Sequence, residues 1–370
     1  MARLLRPIVI AAALLLTAGT ARAQDIKIAV VGPLTGSNAA LGEQMKRGAE
    51  MAVADINKKG GVLGKKLALT VADDACDPKQ AVAAANDVIG KKVVFVAGHY
   101  CSSSSIPASA VYEEADVLQI TPASTNPALT DEAFAKGWHN VFRVCGRDDA
   151  QGLVAGKYLA EKYKDKKIAI IHDKTAYGKG LADETKKAAN DRGATEAMYE
   201  AINQGDKDFS ALVSKMKQAN IDVIYFGGYQ TEAGLIVRQA RDQGLKATLI
   251  GGDALVTEEF WKITGPAGEG TMMTFAPDPR KVPAAKAVVD MFMKQNYNPE
   301  GYTLYTYAAI QAFVAAAEKA KSIEMEKLSQ ALHLTAIDTV IGKLTWDKKG
   351  DITDPKYVFY VWKAGKYAEM

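Results

Sequence analysis

The chain has 370 residues, 48% of them apolar and 24% charged, with a formal net charge of +3. Arg3, Arg6 and Arg22 account for that surplus, and residues 24–370 carry equal numbers of basic and acidic side chains. Neutrality over the bulk of the chain argues against nucleic acid and anionic membrane surfaces as partners, and the length suits two lobes better than one core.

Residues 1–23 read as a secretory leader. Arg3 and Arg6 form a short basic region, 8–18 an apolar run, and Ala21-Arg22-Ala23 a small-x-small cleavage site before Gln24. The apolar run is shorter than the roughly 20 residues a membrane span needs. No cysteine follows the cut, so a lipid anchor is not indicated. The leader points to export, with the periplasm as destination, where disulfides form.

Strand-like and helix-like runs then alternate. A strand at 26–31 precedes a helix over Ala39–Lys58, in which Leu41, Met45, Ala49, Val53 and Ile56 recur at helical spacing. Strands are predicted at 66–72, 93–98 and 117–121, with helices at 79–89 and 105–115 between them. Asp77, Pro78 and Gln80 form a start signal for the first of these helices. After a strand at 142–145 the pattern restarts. Helices are predicted at 151–163, 178–192, 209–218, 231–243 and 257–264, and strands at 167–173, 196–201, 222–227, 248–252 and 270–276. Three helices follow at 284–295, 303–320 and 325–334, then strands at 342–346 and 357–362 around an Asp-Lys-Lys-Gly-Asp turn. Such alternation predicts an α/β fold: two Rossmann-like lobes of parallel strands with right-handed crossovers. No low-complexity linker separates them, so several crossing segments are expected.

In open α/β sheets ligands bind beyond the carboxyl ends of the strands. Cys76 and Cys101 are placed at such ends, on strands read as neighbours. A disulfide there would close a loop of about 26 residues and stabilise the fold by roughly 3–4 kcal/mol. Cys145 is left over and reads as a buried, reduced thiol. The serines at 102–105 open a helix, where free N–H groups and hydroxyls suit a carboxylate. Tyr100, Tyr177, Tyr229 and Tyr302 lie at loop positions, and rings with polar tips suit a small amphipathic ligand.

Chemistry has little support. There is no G-x-G-x-x-G, no P-loop and no nucleophile elbow. The four histidines are scattered without metal spacing, and Asp73, Asp74 and Asp77 lack the EF-hand pattern. No cofactor or metal is implied. The pattern is that of a binder and not an enzyme.

Residues 73–86 (DDACDPKQAVAAAN), 101–109 (CSSSSIPAS), 120–130 (ITPASTNPALT), 168–182 (IAIIHDKTAYGKGLA), 205–217 (GDKDFSALVSKMK), 226–244 and 343–351 (KLTWDKKGD) together resemble the leucine/isoleucine/valine-binding proteins. These are the periplasmic components of ABC amino-acid importers. The resemblance implies a type I periplasmic binding protein with a three-segment hinge. Lobe 1 would comprise residues 24–144 and 277–352, and lobe 2 residues 145–276 and 353–370. It also implies an amino acid as ligand, permease subunits as partners and a monomer. By the same resemblance Ser102 and Thr125, beside Ser124, hold the ligand's backbone ends, and the Ala123 carbonyl helps take the ammonium. Tyr177, Tyr229 and Asp253 complete the site from the other lobe.

Three positions depart from the family. Leu41 stands where a ring is common, Tyr100 replaces a smaller aliphatic residue, and Asp253 is one methylene shorter than the usual Glu. Tyr100 and Tyr302 should shrink the side-chain pocket while Leu41 opens it elsewhere. A branched-chain or smaller aliphatic amino acid is expected, with proline, γ-aminobutyrate or a receptor-sensing role as alternatives.

Overall fold

The strands of the computed structural model, which describes residues 24–370, are short and mostly apolar on both faces. Strands of that kind are stable only when covered on both sides, which is the setting of a parallel sheet between helices. The leader expected over residues 1–23 lies outside the described residues.

The first half runs β1 (Ile26–Gly32), α1 (Ala39–Lys58), β2 (Leu67–Asp73), α2 (Pro78–Gly90), β3 (Phe95–Gly98), α3 (Ser102–Glu114), β4 (Leu118–Thr121), α4 (Ala128–Ala135) and β5 (Val141–Arg143). Its strands form one parallel sheet in the order β2-β1-β3-β4-β5. Next come α5 (Asp148–Tyr163), β6 (Ile168–His172), α6 (Ala176–Asn190), β7 (Met198–Ala201), α7 (Ser210–Gln218), β8 (Val223–Gly227), α8 (Gln230–Asp242), β9 (Thr248–Gly251), α9 (Glu258–Thr264) and β10 (Met272–Phe275). The chain ends with α10 (Lys286–Lys294), α11 (Thr303–Ala320), α12 (Met325–Leu334), β11 (Ile337–Thr339), β12 (Gly342–Leu344), β13 (Val358–Lys363) and β14 (Lys366–Glu369). The second sheet has the order β14-β13-β10-β9-β8-β6-β7, parallel from β10 to β7 and antiparallel at β13 and β14.

Helix α11 packs on α1, β3 and β4, with Phe313 stacked on Phe95 at 4.5 Å, and so returns the chain to the first sheet. Gly48 makes this possible, because a Cβ there would strike the Thr303 carbonyl at the start of α11. The chain therefore passes between the sheets after β5, after β10 and after β12. Among the described residues no helix is long and apolar enough to cross a membrane.

Most elements lie within a few residues of their predicted places, and α1 has its predicted bounds. Helix α3 differs: it begins at Ser102, three residues early, because a serine-rich first turn has no apolar spacing to betray it. The short elements α4, β11 and β14 carry too few apolar repeats to be read. Cys76 and Cys101 do not follow neighbouring strands, since β1 lies between β2 and β3. They are nonetheless bonded, with Cα atoms 5.5 Å apart. Ala75 and Cys76 both have positive φ, and the Cys76 N–H donates to Asp74 Oδ1 at 2.8 Å, so a tight turn carries the sulfur past β1. Asp77 caps α2 as predicted, accepting from the N–H groups of Lys79 and Gln80.

Cys145 is buried and free, and burial pushes its thiol far above the ordinary range. Thiol counting on denatured, unreduced protein should therefore find a single reactive cysteine. Reduction should lower unfolding free energy by about 3–4 kcal/mol, from the 25-residue separation of the bonded pair.

Candidate ligand site between the two sheets

Both sheets present the carboxyl ends of their strands to one cleft, each where its strand order reverses. Tyr100 and Ser102 follow β3, and Ala123 follows β4. Tyr177 lies in the first turn of α6 after β6, Tyr229 caps α8 after β8, and Asp253 follows β9. Gly178 allows α6 to start here, since a Cβ would meet the Asp173 carboxylate and the Gly227 carbonyl. These six residues and Ala254 line a narrow pocket with almost no free space. A larger, solvent-open groove of about 570 Å³ forms the mouth of the cleft, between Ser37, Cys76 and Ser103 on one side and Lys174 and Gln204 on the other. A second, of about 370 Å³, runs along the chain crossings at Val144, Pro277 and Ile352, away from these strand ends.

The acid is held from both sides. The Tyr177 hydroxyl donates to Asp253 Oδ1 at 2.9 Å, and the Tyr302 hydroxyl, carried beside α11, donates to Oδ2 at 2.6 Å. Burial pushes the Asp253 carboxyl up from its ordinary value, against the hydrogen bonds it accepts from Tyr302, Gln151 and Tyr177. An ammonium nearby would favour the anion again. Tyr302 also meets Tyr100 edge-on at 5.4 Å, and Tyr177 leans on Tyr229 at 5.1 Å; Tyr100, Tyr177 and Tyr229 line the pocket, while Tyr302, like Ser124 and Thr125, is not among its lining residues.

On the first-sheet side the groups are mainly backbone and hydroxyl. Ser102 opens α3, and its Oγ accepts from the Asn126 N–H at 3.2 Å, which leaves its own proton free to donate. Thr125 is fully buried with its hydroxyl unpartnered. Ser124 is different: its Oγ lies 2.6 Å from Ser105 Oγ and within reach of the His99 and Tyr100 carbonyls, so its side chain is a strut. Leu41 is buried in α1 and is not among the residues lining the pocket. His99, read as a strand-end residue, bridges Asp74 at 2.6 Å and Tyr112 at 2.9 Å, all buried, and braces the turn beneath the disulfide.

The two halves also touch directly. Gln230 Nε2 and Thr231 Oγ1 both donate to the Ser37 carbonyl at 3.0 Å, Asn126 Nδ2 donates to the Ala176 carbonyl, and Gln204 Nε2 reaches Cys76 Sγ at 3.8 Å. The two halves thus meet at the rim of the cleft.

One determinant was not read from the sequence. Arg143, fully buried at the end of β5, donates from Nη1 to the Ser124 carbonyl at 2.7 Å and from Nη2 to the Asn126 carbonyl at 3.1 Å. Its Nε lies 2.6 Å from Asp351, which also pairs with Arg147 at 2.7 Å. A charged side chain ending an apolar strand was the available signal. In the sequence Asp351 reads only as the end of the Asp-Lys-Lys-Gly-Asp turn.

Residues 25–366 match the family described as periplasmic binding protein. The chain belongs to that family. It is 50% identical over 355 residues to the Leu/Ile/Val-binding protein homolog 2 of Brucella abortus, covering 96% of this chain and 94% of that one. An amino acid binding protein of Pseudomonas aeruginosa is 49% identical over 350 residues, covering 94% and 92%. The structure of the branched-chain amino acid transporter substrate binding protein LivJ from Streptococcus pneumoniae, in complex with isoleucine, superposes with a TM-score of 0.85. It is 28% identical and covers 94% of this chain and 99% of that chain. The two-sheet architecture of this periplasmic binding protein is thus that of a solved amino-acid binder.

Asp351→Ala should expose the dependence of the site on Arg143. Stranding a buried guanidinium costs about 3–5 kcal/mol, which denaturant unfolding would register. A variant as stable as wild type would show that the carbonyls alone satisfy Arg143.

Proposed function

We propose that this chain is the periplasmic substrate-binding protein of an ABC importer, which captures an aliphatic L-amino acid between its lobes and delivers it to a membrane permease. The observation that carries this reading is the pairing of chemistries across one pocket. Ser102 at the α3 N-terminus offers donors for a carboxylate, and Asp253 and the Ala123 carbonyl offer acceptors for an ammonium. Tyr100, Tyr177, Tyr229 and Tyr302 supply the walls between them. The relatives named for leucine, isoleucine and valine support the ligand class. Burying a Val- or Leu-like side chain would add roughly 1.5–3 kcal/mol.

In this reading residues 1–23 are a cleaved leader, and the protein acts as a periplasmic monomer. Lobe 1 comprises 24–144 and 277–352, and lobe 2 comprises 145–276 and 353–370. Membership of the two sheets and the packing of α11 on α1 support this division. Contacts from both lobes mean that the ligand selects the closed state. A calorimetric screen of the twenty amino acids and γ-aminobutyrate is the direct test, and an absence of binding to every one would refute the reading.

A smaller ligand such as alanine, proline or γ-aminobutyrate is the second reading, favoured by the edge-on Tyr100–Tyr302 pair that narrows the pocket. Tyr100→Leu separates the two. It should improve leucine relative to alanine, valine or proline by about tenfold or more, since a methylene's worth of space is worth about 1–3 kcal/mol. An unchanged ranking would remove Tyr100 from the side-chain pocket.

Asp253→Ala should weaken binding by about 2–5 kcal/mol, the usual cost of truncating one member of a desolvated charge pair. The melting temperature of the empty protein should change far less. Unchanged affinity would take Asp253 out of the site.

A further inference from the structure

Three side chains in the segment between α10 and α11, each two residues from the next, reach toward the second-sheet half. Asn298 Oδ1 accepts from Arg280 Nη1 at 3.0 Å, and that guanidinium lies over the Tyr367 ring of β14 at 5.5 Å. The Tyr302 hydroxyl donates to Asp253. Between them, Glu300 takes two hydrogen bonds from the start of α9. Its Oε1 accepts from the Thr257 hydroxyl at 3.0 Å, and its Oε2 accepts from the Glu258 N–H at 2.9 Å. Thr257 Oγ1 in turn accepts from the Glu259 N–H at 3.3 Å. A carboxylate from another part of the chain thus completes this turn.

The same segment is fastened to the first-sheet half from behind. Gln44 of α1 accepts from the Tyr302 N–H at 3.0 Å, and the Tyr297 hydroxyl pairs with Thr303 Oγ1 at 3.0 Å. The Arg47 guanidinium of α1 covers the Tyr297 ring at 4.5 Å. Gly301 has a φ of +50°, and a Cβ there would strike the Gln44 amide, so strap and helix are in close contact. The backbone is therefore held by α1 while the Glu300 carboxylate is held by α9. Glu300 is not among the residues lining the pocket. Burial pushes its carboxyl up to about 7, against the two hydrogen bonds and the Arg280 charge.

We propose that residues 298–302 are a latch on the cleft, and that Glu300 holds a captured ligand in place without touching it. This rests on the two-lobe capture proposed above. Asp253 and Thr257 lie in one connection, and Glu300 and Tyr302 in one strap, so a rotation that parts one pair parts the other. Hydrogen bonds weaken steeply once their atoms separate by about an ångström beyond contact. Encounter with the open cleft precedes the latch bonds and escape must break them, so Glu300 acts on dissociation and not on association. A group outside the pocket also has no means of telling one side chain from another, whereas Tyr100 has.

The test is stopped-flow fluorescence of the full chain with L-valine and L-alanine, beside thermal melts and small-angle scattering. It is run at roughly pH 8, where Glu300 is ionised. Glu300→Ala should raise the dissociation rate about tenfold, the effect of losing one net hydrogen bond to a charged group, and by the same factor for both ligands. Association should change by less than about threefold. Glu300→Gln keeps one acceptor oxygen and should fall between wild type and Glu300→Ala. Empty wild type and Glu300→Ala should melt alike, with the variant more extended in scattering. An unchanged dissociation rate, or a rise confined to one ligand, would overturn the proposal. A lower melting temperature of the empty variant with unaltered dissociation would assign Glu300 to the fold of α9 and overturn it as well. If neither amino acid binds wild type, the capture reading fails first and scattering decides the latch: an empty Glu300→Ala no more extended than empty wild type then sinks it. Should Glu300→Ala not fold, Glu300→Gln decides by the same comparisons.

Discussion

Arg143 has no exposed surface, and a guanidinium so placed must find acceptors for donors it cannot give up. It finds them in the loop after β4, at the carbonyls of Ser124 and Asn126, and in the Asp351 carboxylate. Its own backbone is caught as well: the Arg143 N–H donates to the Gly350 carbonyl, and Trp346 Nε1 donates to the Arg143 carbonyl. One side chain thereby fixes the loop after β4 to the third chain crossing. Ala123, Ser124 and Thr125 all lie on that loop. Without the anchor, their carbonyls and hydroxyls would belong to a mobile connection, and in the proposed capture they would have to be ordered at a cost in affinity.

The lobes divide the work. The first sheet contributes a rigid loop and a helix N-terminus, groups whose direction is set by backbone. The second contributes rings and an acid, groups whose direction is set by packing. Tyr302 crosses this division, because it travels with α11 yet donates to Asp253 from the opposite lobe. The bond between Tyr302 and Asp253 both shapes the wall and draws the lobes together. In the proposed site a ligand ammonium would share a carboxylate already occupied by two phenols, which favours a compact cation over a bulky one.

How much could be read from the sequence depended on the range of the interaction. Helix α1 was legible because five apolar residues repeat at helical spacing, and α2 because Asp77 and Pro78 mark its start. The strand-end positions of Ser102, Tyr177, Tyr229 and Asp253 followed from the alternation of elements. Strand order was not legible, since nothing local says that β1 inserts between β2 and β3, and the two cysteines were consequently placed on neighbouring strands. The Arg143–Asp351 pair spans most of the chain and left only an out-of-place charge as its trace. Ser124 could be placed near the ligand, but only packing shows that its hydroxyl is spent on Ser105 and two carbonyls. Likewise, nothing in the sequence around residue 300 says that its carboxylate meets Thr257 and Glu258.

The contacts that bring Gln230 and Thr231 against Ser37 have an asymmetry of their own. On one side stand two side chains, and on the other a single main-chain oxygen. A carbonyl survives every substitution at its own position, so changes of side chain at residue 37 leave that oxygen in place. At this contact, single substitutions can therefore remove the hydrogen bonds from the α8 side only. A mutational scan of this rim would find its sensitive positions on α8 and read the facing loop as tolerant, although both surfaces carry the same two hydrogen bonds.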